Sequence, residues 1–100
     1  MTLPVIVRPE ASLESREAHA WYEEQRPGLG ERFEAALDAC FDEIRQRPYA
    51  FPLVTAHVRR ARVARFPYLV FYEVAEAEIV VHSVFHSSRN PEVWKRRVGA

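Results

Sequence analysis

The first quarter of the chain changes from a short apolar run to a long polar stretch, which predicts a strand followed by a helix. Leu3 to Val7 is apolar and partly β-branched, and it stops before Pro9, as a short strand would. Pro9 or Glu10 suits the first turn of a helix. Five residues recur at helical spacing and form one stripe along this helix: Ala11, Ala18, Trp21, Tyr22 and Gln25. Ser15 interrupts the stripe where an apolar residue would be expected.

The second helix has the clearest pattern in the sequence. Apolar residues recur every three or four positions, and charged residues take the other face. The apolar positions are Leu29, Phe33, Ala36, Leu37, Cys40, Phe41 and Ile44. Pro27-Gly28 before this helix is turn chemistry, and Pro48 ends it. The short connection predicts an antiparallel helical hairpin.

After Pro48 the hydrophobic period changes from 3.6 to 2, which predicts strands at His57 to Phe66, Leu69 to Val74 and Ile79 to His86. Short connectors between them favour hairpins and an antiparallel meander. In the third strand alternation puts Ile79, Val81, Ser83 and Phe85 on one face and Val80, His82, Val84 and His86 on the other. Both faces are rich in apolar groups, which indicates a central strand.

Pro91 to Arg97 predicts a last helical turn or two, so the whole pattern predicts one α+β domain over residues 1–100. Its parts are an N-terminal strand, an antiparallel helical hairpin packed on an antiparallel β-sheet meander, and a short C-terminal helix. An apolar content of 48% supports a modest core. The N-terminus does not resemble a signal peptide, and Cys40, the one cysteine, fits a reducing cytoplasm.

The net charge of zero conceals two halves of opposite charge. Residues 1–50 hold six basic and ten acidic groups, or −4, whereas residues 51–100 hold eight basic and four acidic groups, or +4. Contacts with nucleic acid or an acidic protein surface are therefore expected at residues 59–65 and 89–97. No apolar run approaches the roughly 18 residues of a membrane span, so no membrane partner is expected.

Four arginines lie within seven residues of the first predicted strand of the meander. Alternation places Arg60 and Arg62 on one face, and Arg59 and Arg65 on the other. Two interpretations stay open. The arginines protect an edge strand from aggregation, or they bind an acidic or phosphate-bearing partner.

The segment His86 to Pro91 gathers an imidazole, two hydroxyls and a guanidinium before a helix N-terminus. It is either an anion site or an ordinary strand-to-helix loop with Ser or Asn as the N-cap. His82 and His86 lie roughly 13 Å apart along a strand and cannot share one ion, so no metal site or cofactor is predicted. Cys40 on its helix stripe is interpreted as a small core residue.

Several of these motifs together resemble the RelE/ParE superfamily of toxins from bacterial type II toxin–antitoxin systems. The resemblance covers residues 9–97, and it rests on Trp21 to Gly30 followed by Phe33, Pro48, Phe51-Pro52, Arg59-Arg60, Phe66-Pro67-Tyr68 with Tyr72, and His86 to Trp94. It implies a cytoplasmic, growth-inhibiting toxin, of the kind that stabilises plasmids, neutralised by a cognate antitoxin. The RelE branch cuts messenger RNA on the ribosome, whereas the ParE branch inhibits DNA gyrase.

The ribonuclease residues of the RelE branch match this sequence poorly. The arginine after the strand tyrosine corresponds to Leu69, and the C-terminal tyrosine corresponds to Trp94, which has no titratable proton. Arg59, Arg62 and Arg89 remain candidates for a rearranged catalytic site. The resemblance therefore favours a ParE-like toxin that binds gyrase, with a ribosome-dependent ribonuclease and a non-toxic antitoxin-binding module as alternatives.

The resemblance and the charge pattern together assign two sets of binding residues. The target-binding set is Arg60, Arg65, His86, Arg89, Trp94, Arg96 and Arg97. The antitoxin-binding set is Trp21, Tyr22, Phe33 and Leu37. A groove between a hairpin and a sheet edge suits a disordered antitoxin segment that folds on binding. No direct sequence-specific DNA binding is expected.

Overall fold

The computed structural model describes residues 2–99, which form three helices and four strands. In chain order these are β1 (Val5–Val7), α1 (Pro9–Gln25), α2 (Leu29–Gln46), β2 (Val58–Arg62), β3 (Tyr68–Val74), β4 (Ile79–His86) and α3 (Glu92–Arg97). The predicted α+β fold is confirmed. Residues 1 and 100 of the predicted domain lie outside the described residues.

The two long helices begin and end where the proline and glycine residues of the sequence predict. Pro9 occupies the first turn of α1, and Glu10 places a carboxylate at the positive end of the helix dipole. Helix α2 ends at Gln46, two residues before Pro48. The predicted helical hairpin is confirmed, and α1 and α2 pack against each other along their length.

The connection between α1 and α2 is held by the carboxylate of Glu23. It accepts hydrogen bonds from the backbone N–H of Gly28 at 3.0 Å and from that of Gly30 at 3.1 Å. These two donors lower the pKa of Glu23, because they stabilise its charged form. Gly28 has a φ of +89°, a conformation that residues with a side chain rarely adopt.

Gly30 allows a close approach between the two helices. A methyl group on Gly30 would lie 2.7 Å from the backbone carbonyl oxygen of His19 and 2.7 Å from its Cδ2 atom. These distances leave no room for a side chain at this position. The α1–α2 crossing therefore depends on this glycine.

The four strands form one sheet in the order β1-β4-β3-β2. Strands β2, β3 and β4 are antiparallel neighbours, so the predicted meander is confirmed. Strand β1 joins it as a parallel partner of β4, with Val5 opposite Ile79 and Val7 opposite Val81. The prediction left the place of β1 open. Because β4 has a neighbour on each side, it is the interior strand that its apolar faces indicated.

A β-bulge interrupts the pairing of β3 with β4. Phe71 lies opposite Ser83, whereas the next residue, Tyr72, lies opposite Val81. His82 is therefore an extra residue with no counterpart in β3. The alternation of side chains in β4 is shifted by one position beyond it.

The bulge makes one prediction wrong. Ile79, Val81, Ser83 and Phe85 were expected to share a face, but Ile79 and Val81 pack with the helices together with Val84. Phe85 packs in the cluster on the opposite side of the sheet. A period of two predicts faces only where no residue is inserted, and nothing in the sequence around His82 indicates the insertion.

Two strands are shorter than predicted. Strand β1 begins at Val5 instead of Leu3, and β2 ends at Arg62 instead of Phe66. The Val63 N–H still donates to the Tyr68 carbonyl at 3.0 Å, after which the chain turns. Arg65 occupies this turn with a φ of +70°. The connection was predicted at Pro67-Tyr68 but lies earlier, which the sequence did not indicate because arginine is not a turn residue by preference.

Hydrophobic clusters lie on both sides of the sheet. On the side of the helical hairpin, Phe33, Leu37 and Ile44 of α2 pack with Val70 and Tyr72 of the sheet. On the other side, called here the outer face, the cluster consists of Val58, Phe71, Phe85 and Trp94. Within residues 2–99, no helix combines the length and apolar character needed to cross a membrane.

Candidate basic groove on the outer face

Strand β2 brings two arginines to the outer face. Arg60 lies opposite Phe71 and Arg62 lies opposite Leu69. Since opposite residues of paired strands share a face, both guanidinium groups project on the side away from the helices. This arrangement confirms the predicted alternation. Both arginines are exposed, and neither forms an ion pair within residues 2–99.

Arg60 lines two adjoining cavities, of which one lies beside α3 and the other also contains Arg62. One of about 300 Å³ has Arg60, Ser87, Arg89 and Lys95 among its lining residues. The other, of about 210 Å³, is lined by Arg60, Arg62, Ser87 and Tyr68, among others. We call the combined feature the basic groove and define it by its polar side chains: Arg60, Arg62, Ser87, Arg89 and Lys95. Its floor is apolar, formed by side chains such as Leu69.

Arg89 lies where the basic groove reaches the end of β4. Its guanidinium carbon is 5.2 Å from the centre of the Phe85 ring, and Nη1 is 3.5 Å from Glu14 Oε2. Half of its side chain remains exposed. The ring and the carboxylate orient the guanidinium, and its exposed half is free to meet a partner.

The carboxylate of Glu14 in α1 is the main anchor of this end of the molecule. Its Oε1 accepts hydrogen bonds from the Ser83 hydroxyl at 2.9 Å, the Val84 N–H at 3.1 Å and Arg97 Nη1 at 2.8 Å. Only 9% of the side chain is exposed. Oε2 is buried without a hydrogen bond, with Arg89 nearby.

Sequence reasoning missed Glu14 because it is one of ten acidic residues in the first half of the chain. A signal was present at Ser15, where the expected stripe of α1 fails. The Ser15 hydroxyl donates to the Ser12 carbonyl at 2.8 Å instead of packing in the core. The neighbouring residue, Glu14, makes the buried polar contacts of this part of the helix.

Trp94 and Arg97 are corrections to the predicted target-binding set. Trp94 is 6% exposed, and its ring stacks on that of Phe71 with centroids 4.1 Å apart. Arg97 donates to Glu14 and to the His82 carbonyl, and 19% of its side chain is exposed. Both residues hold α3 against the sheet, so neither is available as a main contact for a target. Arg96, by contrast, is exposed.

His86 and Arg65 lie away from the basic groove, although both were predicted to bind the target with Arg60. The ring of His86 faces Tyr68 on the helical side of the sheet, with centroids 5.1 Å apart. Arg65 lies in the turn before β3 and lines a different cavity, beside α2. The structure therefore brings Arg60 and Arg89 together in the basic groove and separates both from Arg65. His86 lies with Arg89, but not with Arg60, along a different cavity beside α1.

The weak catalytic candidates are also divided. Arg59 lies on the helical side of β2 and donates to the carbonyl oxygens of Phe51 at 2.7 Å and Tyr49 at 3.1 Å. Its guanidinium is 5.3 Å from the centre of the Tyr49 ring. Arg59 thus holds the segment before β2 in place. Arg62 and Arg89 belong to the basic groove, so the three side chains do not form one site.

The loop after β4 uses its own side chains on the N–H groups before and at the start of α3, whose N-cap is Pro91 and not the predicted Ser or Asn. The Asn90 side-chain oxygen accepts the Glu92 N–H at 3.0 Å, which occupies a donor that an anion would need. The Ser88 N–H donates to His86 Nδ1 at 3.1 Å. Burial raises the pKa of the Tyr68 hydroxyl, which lies beside this loop.

The predicted antitoxin-binding set is only partly accessible. Trp21 is 56% exposed, and Tyr22 is half-buried with its ring 5.4 Å from that of Phe33. Phe33 and Leu37 are buried in the core, so their assignment to an interface is wrong in this structure. An apolar stripe does not distinguish residues that pack internally from residues that await a partner.

The remaining reactive side chains have internal roles. His82 Nε2 is 2.8 Å from Glu73 Oε1, and burial raises the pKa of the Cys40 thiol to about 12. Cys40 is therefore a core residue, as interpreted from its position. Residues 2–99 contain no cluster of three or more His, Cys, Asp or Glu side chains that suits a metal ion.

Comparison with known proteins identifies the family of this chain. No curated protein sequence gives a significant match. Among solved structures, the chain is similar to the chromosomal ParDE TA system from P. aeruginosa, with a TM-score of 0.64, 13% identity, and coverage of 85% of this chain and 96% of that chain. At this identity the likeness concerns the fold. The family model of the ParE toxin of type II toxin–antitoxin system, parDE, matches residues 5–91, and the chain therefore belongs to the ParE toxin family.

Proposed function

We propose that this ParE-family protein, acting as a single domain in the cytoplasm, inhibits DNA gyrase by binding it through the basic groove. The observation that supports this most directly is the exposed pair Arg60 and Arg62, without an ion pair among residues 2–99, above an apolar floor with Arg89 at its end. Arginine beside a buried apolar centre is typical of protein interfaces. A cognate antitoxin neutralises the protein by binding it.

The test separates target binding from folding. The purified protein is expected to inhibit gyrase supercoiling and to leave messenger RNA intact in a translation reaction. The Arg60→Ala/Arg62→Ala variant should lose about tenfold or more in inhibition, since both side chains meet the target directly. The control is Arg16→Ala/Arg26→Ala, which removes two exposed arginines from the helical hairpin. Equal inhibition by all three proteins would reject the basic groove as the gyrase-binding site.

A ribosome-dependent ribonuclease is the second candidate. It is favoured by one observation, which is that Tyr68 lines the same cavity as Arg62. The Tyr68 hydroxyl carries a proton that a leaving group needs, although burial raises its pKa and so makes it a weaker acid. Cleavage of messenger RNA that requires ribosomes and disappears in Tyr68→Phe would replace gyrase inhibition as the function. An absence of any growth defect on induction would favour the non-toxic module.

Arg89→Ala is expected to weaken toxicity while leaving antitoxin binding within about twofold of the wild type. The half-exposed guanidinium lines the basic groove. It also lines a cavity beside α1 with Trp21, the exposed member of the antitoxin set, so the twofold limit tests whether the antitoxin contacts Trp21 without using Arg89. Growth inhibition on induction measures the first effect, and titration with the purified antitoxin measures the second. Parallel loss of both would mean that Arg89 acts through the fold.

A further inference from the structure

A small cavity lies between α1 and the sheet, where Tyr68 of β3 is paired with His86 of β4. Its volume is about 200 Å³. Its charged and aromatic lining residues are Glu14, Glu17, Trp21, Tyr68, His86 and Arg89. We call it the α1 cavity. Pockets for drug-sized ligands have volumes of roughly 300–1,000 Å³, so an occupant of the α1 cavity is a smaller molecule.

One carboxylate oxygen in this lining has no hydrogen bond. Glu14 Oε1 accepts three hydrogen bonds, whereas the buried Oε2 accepts none among residues 2–99. Only 9% of the Glu14 side chain is exposed, so the two oxygens share one largely buried charge. A buried acceptor without a donor leaves its loss of hydration uncompensated. A group that donates to Oε2 therefore gains more than it would at an exposed carboxylate.

Arg89 lies against Oε2 without bonding to it. The distance from Nη1 to Oε2 is 3.5 Å, which exceeds the length of about 2.7–2.9 Å that is typical of a charge-assisted hydrogen bond. The same guanidinium contacts the Phe85 ring, which belongs to the outer face, and half of the side chain is exposed. Arg89 also lines the basic groove. It is thus able to leave Oε2 and remain beside Phe85.

The other lining residues suit a planar organic cation. Glu17 follows Glu14 by three residues, a spacing that puts both side chains on one face of α1. Two carboxylates and one guanidinium give the lining a net charge of −1 when its imidazole is neutral. Trp21 and Tyr68 are aromatic, and a guanidinium stacks on aromatic rings. An occupant with one positive charge neutralises this lining.

We propose that the α1 cavity binds a small alkylguanidinium compound, which takes the place of Arg89 at Glu14 Oε2. The N–H groups of the compound donate to Oε2 and to Glu17, and its alkyl chain packs against Ala18 and Val84, the apolar lining residues. Arg89 moves toward the basic groove. A quaternary ammonium compound does not fit this role, because it has no N–H group for the unbonded oxygen. The site is independent of the identity of the toxin's target.

The probe is butylguanidinium, titrated into the isotope-labelled full chain and followed by NMR. The chain has two tryptophans, and the indole N–H signal of Trp21 reports on the α1 cavity, whereas Trp94 stacks on Phe71 on the outer face. The Trp21 signal is expected to shift saturably, with a Kd of about 1 mM. Butyltrimethylammonium and butyrate at equal ionic strength should bind about tenfold more weakly or not at all. Equal binding of either control, or no saturation by butylguanidinium, would overturn the proposal.

Substitutions test the exchange with Arg89. Arg89→Ala is expected to bind butylguanidinium about threefold or more tightly, because the competing guanidinium is gone. Glu14→Gln should weaken binding about tenfold, and Glu17→Gln about threefold. The matched control, Glu31→Gln, removes an exposed carboxylate of α2 outside the cavity and should leave the Kd unchanged.

Two results with these variants would contradict the exchange. Weaker binding by Arg89→Ala would make Arg89 part of the binding site and not the group that is displaced. Equal loss in Glu17→Gln and Glu31→Gln would show that the probe responds only to the overall charge. Both tests keep the buried Glu14 carboxylate, so they hold even where Glu14→Gln does not fold.

A last comparison identifies the source of the guanidinium group, since an arginine side chain of a protein carries the same group as a free compound. The probe is a three-residue peptide with arginine between two glycines and with both ends blocked. It is expected to bind no more tightly than butylguanidinium, because the cavity accommodates only the guanidinium and its alkyl chain. Binding of the peptide about tenfold more tightly would overturn the assignment to a small molecule.

Discussion

Replacing Glu14 with alanine is expected to lower the free energy of unfolding by about 3 kcal/mol, because it leaves a largely buried cation without its partner. Arg97 would keep only the His82 carbonyl, and the Ser83 hydroxyl and Val84 N–H would lose their acceptor. For a domain of this size the loss corresponds to a fall in Tm of roughly 12–24 °C. Thermal and urea unfolding followed by circular dichroism measure it.

Two controls separate the contribution of the charge from that of the hydrogen bonds. Glu14→Gln keeps an acceptor for the Val84 N–H but removes the charge, so it is expected to lower the free energy of unfolding by about 1.5 kcal/mol. Glu17→Ala removes an exposed carboxylate from the same helix and should stay within about 0.5 kcal/mol of the wild type. A Glu14→Ala protein as stable as the Glu17→Ala protein would show that water replaces the lost carboxylate.

Replacing Gly30 with alanine is expected to destabilise the protein by about 2 kcal/mol, although alanine favours helices more than glycine does. The preference for alanine contributes about 1 kcal/mol, and overpacking against α1 costs about 3 kcal/mol. The added methyl group meets the His19 backbone carbonyl at 2.7 Å, and this oxygen cannot move without separating the helices. Urea unfolding gives the free energy.

The source of the Gly30 effect is identified by a second substitution. His19→Ala removes the imidazole, whose Cδ2 atom is also 2.7 Å away, but leaves the carbonyl oxygen in place. In the His19→Ala background, Gly30→Ala should therefore still destabilise. Gly28→Ala, where nothing lies within 4 Å, tests the positive φ alone, with a cost of about 1 kcal/mol. Full rescue by His19→Ala would contradict the backbone explanation.

The elements of the fold were predictable because local rules govern them. Pro9, Pro27, Gly28 and Pro48 set the ends of both long helices, and a period of two identified β3 and β4. The bulge at His82 and the turn at Arg65 were not predictable. Each depends on pairing with a distant segment, which leaves no local pattern in the sequence.

The candidate site was only partly predictable for a related reason. Alternation correctly placed Arg60 and Arg62 together, since they lie two apart in one strand. The roles of Trp94 and Arg97 depend on contacts with residues far away in the chain. The sequence of a basic C-terminal segment is the same whether its arginines bind a target or bind a buried glutamate of the same chain. Burial separates the two cases, and it is a property of the whole fold.

The parallel pairing of β1 with β4 has a consequence for the protein during its synthesis. The first strand cannot find its place in the sheet until the last strand, about 80 residues later, has left the ribosome. At a translation rate of ~5–20 residues per second, that delay is roughly 4–16 s. The nascent chain therefore emerges first as an unpaired strand and a helical hairpin, and the basic groove forms only after the three strands of the meander and α3 have been synthesised.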